Sequence, residues 1–158
     1  MKTLIVYYSL SGNCKLVAKT LKSSLNAEIL EIKTLKDNKR PQGKRFMWGI
    51  SQMIFNRKPA LMSYTFNPDD WDLIILGTPV WAGGPAPAMV SFLNKSKISG
   101  KKIALYSCFA GNTGKAIDKL KVLLAGNSFV GELGLKNPSQ GEYDFKEKIN
   151  EWAKTLTV

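Results

Sequence analysis

Short apolar, β-branched runs recur along this chain, separated by stretches with apolar residues at helical spacing, and that alternation constrains its fold more than any other feature. Leu4-Ile5-Val6-Tyr7-Tyr8 is a continuous apolar and aromatic run, the pattern of a strand covered on both faces. Glu28–Ile32, Trp71–Gly77, Lys102–Ser107 and the weaker Ser128–Leu133 read as four more strands. Between and after them, helical patterns cover Asn13–Leu25 (Leu16, Val17, Leu21, Leu25), Pro85–Asn94, Gly114–Leu124 and Asp144–Leu156. Pro85 and Pro87 suit a first helical turn, where a missing N–H costs little. Strand and helix in alternation predict an α/β fold, a doubly wound parallel sheet with helices on both faces. Ligands of such sheets sit at the carboxyl ends of the strands, near the point where strand order reverses. The loops after the first, third and fourth strands are therefore where function is to be sought.

The 158 residues suit one domain, here residues 1–158, with an insertion at about 34–68 that breaks the rhythm. That stretch holds no clean strand, only a basic run and an aromatic amphipathic piece, Phe46–Phe55, read as a short helix. From Lys33 to Lys58, eight basic residues (Lys33, Lys36, Lys39, Arg40, Lys44, Arg45, Arg57, Lys58) face one acid, Asp37, which gives seven of the eleven net positive charges. Such a field draws in anionic partners, although a solvated cationic face that aids solubility is the plainer alternative. No apolar run approaches the roughly 20 residues that cross a bilayer. The opening Met1–Tyr8 is too short for a secretory signal. Cys14 and Cys108 give neither a disulfide framework nor metal spacing. The expected location is the cytoplasm. The absence of histidine excludes His-based catalysis and His-ligated metal.

Ser9-Leu10-Ser11-Gly12-Asn13-Cys14 runs from the first strand straight into a helix. Backbone N–H groups at a helix N-terminus, reinforced by about half a positive charge from the dipole, make a phosphate cradle to which Ser9 and Ser11 can donate. A plain Ser/Asn cap is the alternative for this loop alone. The Gly-rich Lys-Ser/Thr pattern of nucleotide triphosphatases is missing, as are the three spaced glycines of dinucleotide folds. After the third strand, Thr78-Pro79-Val80-Trp81-Ala82-Gly83-Gly84 sets a flat indole among glycines that permit close backbone approach. Trp81 capping the sheet end is the competing explanation. Cys108-Phe109-Ala110-Gly111-Asn112-Thr113-Gly114 again places small residues around an aromatic. Together the three loops fit a ligand with a phosphate tail and a flat ring.

The order of strands and loops, over essentially the whole chain, resembles the flavodoxin-like family, specifically short-chain flavodoxins and related FMN oxidoreductases. The first loop matches that family's hydroxyl–any–hydroxyl–Gly–Asn–Thr phosphate loop, with Cys14 where Thr or Ser is usual. The resemblance implies five parallel strands in the order 2-1-3-4-5 and flavin mononucleotide (FMN) as cofactor. By it, Ser9, Ser11, Gly12, Asn13 and Cys14 hold the phosphate. Thr78, Pro79, Val80, Trp81, Ala82 and Gly83 line the isoalloxazine ring, and Phe109, Ala110 and Gly111 lie near its pyrimidine side. There are three departures. The family's electron carriers are usually acidic, so this basic chain implies an acidic redox protein, or a small redox acceptor, as partner. Cys14 at a helix N-terminus could favour a thiolate, which a phosphate dianion would oppose. Only Trp81 of the usual aromatic pair is evident; Trp48 is a candidate for the second, or a core residue.

A flavin supplies its own redox chemistry, so no acid, base or nucleophile is needed from the chain. An electron carrier is the first expectation. An NAD(P)H-dependent oxidoreductase acting on quinones or other small acceptors is the second. A nucleic-acid-binding or regulatory module is the third, and the lack of any recognition motif argues against it.

Overall fold

The computed structural model describes residues 1–35, 58–140 and 144–157. Strand β1 (Thr3–Tyr8) is buried along its whole length, as its unbroken apolar run requires. It lies between β2 (Glu28–Ile32) and β3 (Leu73–Trp81), with β5 (Lys102–Phe109) and β6 (Ser128–Lys136) beyond β3, all parallel, in the order β2-β1-β3-β5-β6. Counting parallel strands alone, this is the order 2-1-3-4-5 expected above. A sixth strand, β4 (Gly84–Pro85), pairs antiparallel with the end of β3 and was not anticipated.

Period-2 alternation along the central strands gives two cores. On one face Ile5, Tyr7, Ile75, Ala104, Tyr106 and Cys108 meet helix α1 (Asn13–Leu25) through Cys14, Val17, Ala18 and Leu21. The C-terminal helix α4 (Phe145–Thr155) joins the same face with Ile149 and Ala153, its first turn capped by the Asp144 carboxylate, which accepts from the N–H groups of Lys146 and Glu147. On the opposite face Val6, Tyr8, Ile74, Leu76, Ile103 and Leu105 meet α2 (Pro87–Ser96) through Met89, Phe92 and Leu93, and α3 (Ala116–Leu123) through Leu120. Each such side chain removed from water contributes about 1.5–3 kcal/mol, so helices on both faces are what hold this sheet.

Several boundaries differ from the sequence expectation. Strand β3 runs four residues past Gly77, to Trp81. It can accept Pro79 because β1 pairs only as far as Tyr7↔Gly77, which leaves β3 one parallel neighbour beyond that point. Pro85 belongs to β4, and Pro87 alone opens the helix. Strands β5 and β6 also extend further than expected, to Phe109 and Lys136.

After β2, Thr34 forms an isolated antiparallel bridge with Leu61, flanked by Leu35 N–H to Ala60 C=O (3.0 Å) and Met62 N–H to Lys33 C=O (2.8 Å). The helix expected at 46–55, and Trp48 within it, lie outside the described residues. Among the described residues no helix is long and apolar enough to cross a membrane, and no group of His, Cys, Asp or Glu is placed to hold a metal.

Candidate binding site at the carboxyl edge of the sheet

The chain turns from β1 outward to β2, then crosses back to β3 on the other side of β1. The crevice between the carboxyl ends of β1 and β3 is thus the switch point of the sheet. The three loops singled out in sequence converge there.

The first loop enters α1 through Gly12, whose φ of 96° lies in the left-handed region. No side chain caps this helix. Ser9 Oγ accepts from the Lys15 N–H at 3.3 Å, one turn in. Among the described residues nothing accepts from the N–H groups of Ser11, Gly12, Asn13 or Cys14. Free donors at the positive end of a 13-residue helix fit an anion, and the exposed Ser11 hydroxyl stands beside them. Ser9 thus satisfies one first-turn N–H, as a plain cap would, and leaves the others open.

Cys14 is not a side-chain donor to this cradle. It shares the inward stripe of Val17, Ala18 and Leu21, and its thiol is buried in the core beside Cys108. Burial, and then the Cys108 thiol, push its pKa well above the ordinary cysteine value, so the thiolate considered above is not formed at neutral pH. Only the Cys14 backbone N–H faces the loop's task.

The second loop is a hairpin. Val80↔Pro85 and Trp81↔Gly84 pair across a two-residue turn, Ala82-Gly83, with φ of 44° and 72°. Two positive φ values match the type I′ geometry that suits the strand twist, and Ala82 carries the strain of a side chain there. Trp81 is half-buried and stands edge-on over Tyr8, ring centroids 5.7 Å apart and planes at 88°. Tyr8, at the end of β1, thereby sets the indole's orientation at the crevice. Thr78 plays another part. It is fully buried, its hydroxyl accepts from Ala86 N–H (2.9 Å) and donates to Pro79 C=O (3.0 Å), and it holds the chain between β4 and α2. Pro79 and Val80 are half-buried on the strand itself.

The third loop knits to the second. Lys115 N–H donates to Gly83 C=O (2.9 Å), and a Cβ at Gly114 would stand 2.5 Å from Gly83 Cα, so only glycine permits this approach. Ala110 and Gly111 are exposed at its tip. The Phe109 ring lies over Gly134 of β6, where a Cβ would come within 3.2 Å of it.

A fourth segment was missed in sequence. Asn137 donates its N–H to Phe109 C=O (2.9 Å), and Ser139 donates its N–H to Asn13 Oδ1 (3.0 Å), tying the short 3-10 turn Pro138–Gln140 to both the first and third loops. The Asn137-Pro138 dipeptide after β6 was the available signal.

Sheet order, with helices on both faces and loops gathered at the switch point, defines the class of doubly wound α/β proteins. A family model described as Flavodoxin matches residues 2–154, and the chain belongs to that family. Among solved structures it is similar to a flavoprotein in complex with FMN from Lactobacillus acidophilus (25% identity over 96% of this chain and 98% of that one, TM-score 0.72). It is also similar in fold to a two-electron reduced flavodoxin from Megasphaera elsdenii (19% identity, 96% and 97% covered, TM-score 0.61). A third is oxidised Flavodoxin 1 from Bacillus cereus (21% identity, 99% and 97% covered, TM-score 0.62). No curated protein matches the chain.

Proposed function

We propose that this protein binds FMN in the crevice between β1 and β3 and carries electrons between redox partners in the cytoplasm. The observation that supports it most is the set of free N–H donors of Ser11–Cys14 at the start of α1, set beside Trp81 on its hairpin at the same sheet edge. In this assignment the backbone of Ser11 to Cys14 and the Ser9 and Ser11 hydroxyls hold the phosphate. Trp81, Ala82 and Gly83 line one side of the ring, and Ala110 and Gly111 approach from the other. Bound FMN supplies one- and two-electron redox chemistry. The chain's own residues bind, orient and desolvate. No described residue at this edge is placed as a proton donor of shifted pKa; the raised groups, Tyr7, Cys14 and Tyr106, belong to the core below.

The net charge of +11 favours an acidic redox protein as partner, with association that weakens as salt is added. The test is the visible spectrum of the purified protein, followed by titration of stripped protein with FMN, FAD and riboflavin. A flavin spectrum with clear preference for FMN is expected; failure to bind any flavin refutes the proposal. Steady NAD(P)H oxidation with a quinone and no added reductase would replace the carrier by an oxidoreductase on the same site.

A further inference from the structure

Below the first loop lies a contact that no flavin-binding role yet explains. Tyr106, in the middle of the sheet on β5, is fully buried, and its phenol donates to the Cys14 carbonyl at 2.9 Å, across 92 positions of sequence. Gly77 of β3 stands opposite Tyr106 in the register, and a Cβ there would overlap Cζ, Oη and Cε1 of the ring, all inside 3.0 Å. A glycine within a central strand weakens it relative to alanine. Here it opens the slot through which the phenol reaches the helix.

Volume alone does not account for the tyrosine. A first-turn helix carbonyl already accepts the N–H four residues on, so the Cys14 oxygen needs no phenol to be satisfied. What the phenol adds is a fixed distance between the central sheet and the first turn of α1. The N–H groups of Asn13 and Cys14 are carried by that same turn.

We propose that Tyr106 is a positioning residue for the phosphate loop, acting through the Cys14 carbonyl to aim the free N–H groups of α1 at the anion. This rests on the assignment of Ser9–Cys14 as the phosphate site. Tyr106 touches no ligand; it sets where the donors point. Its effect is therefore on ligands that bear the phosphate and not on the ring alone.

The experiment compares FMN and riboflavin binding to stripped wild-type protein and to Tyr106→Phe by flavin fluorescence quenching. Urea midpoints of both apoproteins are measured in parallel. Tyr106→Phe keeps the ring and is expected to weaken FMN by about fivefold to tenfold, the factor one neutral hydrogen bond is worth, with riboflavin changed less than twofold. Gly77→Ala, which pushes an unaltered Tyr106 off the Cys14 carbonyl, is expected to reduce the FMN-to-riboflavin preference in the same direction. Parallel weakening of both flavins, or no weakening of either, overturns the positioning role while leaving the phosphate assignment intact. A wild-type protein with no preference for FMN over riboflavin overturns the phosphate assignment and Tyr106's role with it.

Discussion

Gly77→Ala is the most demanding test of the packing described above. The added methyl overlaps three atoms of the Tyr106 ring, and that ring is enclosed by the fully buried first core, so it must retreat by about 1 Å or more to regain ordinary contact. Overpacking of this kind costs about 1–3 kcal/mol. Loss of the phenol's bond to Cys14 adds about 1 kcal/mol. Alanine's lower chain entropy returns about 0.5–1 kcal/mol. The net loss is about 1–3.5 kcal/mol, which in a chain of this size lowers Tm by about 2–14 °C. Urea unfolding of the apoprotein, followed by far-UV circular dichroism, measures it. A cycle with Tyr106→Leu, which removes the ring, should show a coupling of about 1–3 kcal/mol, because the methyl then enters vacated space. Gly77→Ala within 1 kcal/mol of wild type, or two losses that simply add, would show that Tyr106 does not occupy the slot.

Trp81→Ala should weaken FMN and riboflavin alike, by about tenfold, since an aromatic face is indifferent to the phosphate; unchanged binding of both would place the ring away from Trp81. Asn13→Ala should cost about 1 kcal/mol and speed amide exchange at Ser139, whose N–H loses its acceptor; unaltered exchange there would show that Asn13 does not hold the 138–140 turn. Stability should fall in alkaline solution. Cys14 has its folded pKa raised, mainly by burial, so its contribution is whole below the unfolded thiol pKa of about 8.5 and is lost as pH rises beyond it, at about 1.4 kcal/mol per pH unit. Tyr7 and Tyr106, raised first by burial, add to the loss above about pH 10. Urea midpoints at pH 7.5, 9 and 10 that do not move would refute this.

How much of this was legible in the sequence depended on whether a residue faces core or crevice. The helix Asn13–Leu25 and the strand Glu28–Ile32 were read with their observed bounds, because apolar spacing runs to their ends. The far ends of β3, β5 and β6 were not. There residues such as Pro79 and Gly134 interrupt the β pattern although the ladder continues. Pro79 in particular reads as a loop residue until the pairing of β1 is known to stop at Tyr7. The burial of the Cys14 thiol was legible in the i, i+3, i+4, i+7 stripe it shares with Val17, Ala18 and Leu21, from which the loop motif draws attention. Thr78 was expected at the ring; that its hydroxyl also accepts from Ala86, eight positions on, is a bond no local pattern announces. The Tyr106 contact spans most of the chain and left only Gly77 as a trace: a glycine amid Leu73-Ile74-Ile75-Leu76.

The paired stem at Lys33–Leu35 and Ala60–Met62 has a consequence for how such a protein can be rewritten. Leu35 and Ala60 are joined by a hydrogen bond, so residues 36–59 close a loop whose ends the stem already brings together. Closure entropy varies slowly with length; cutting those 24 residues to about six changes it by about 1.2 kcal/mol. Seven of the chain's 23 Lys and Arg residues lie in that interval. Grafting a neutral or acidic segment onto the same stem would therefore reset the long-range field of the chain, with the ladder from β2 to β6 left as it is.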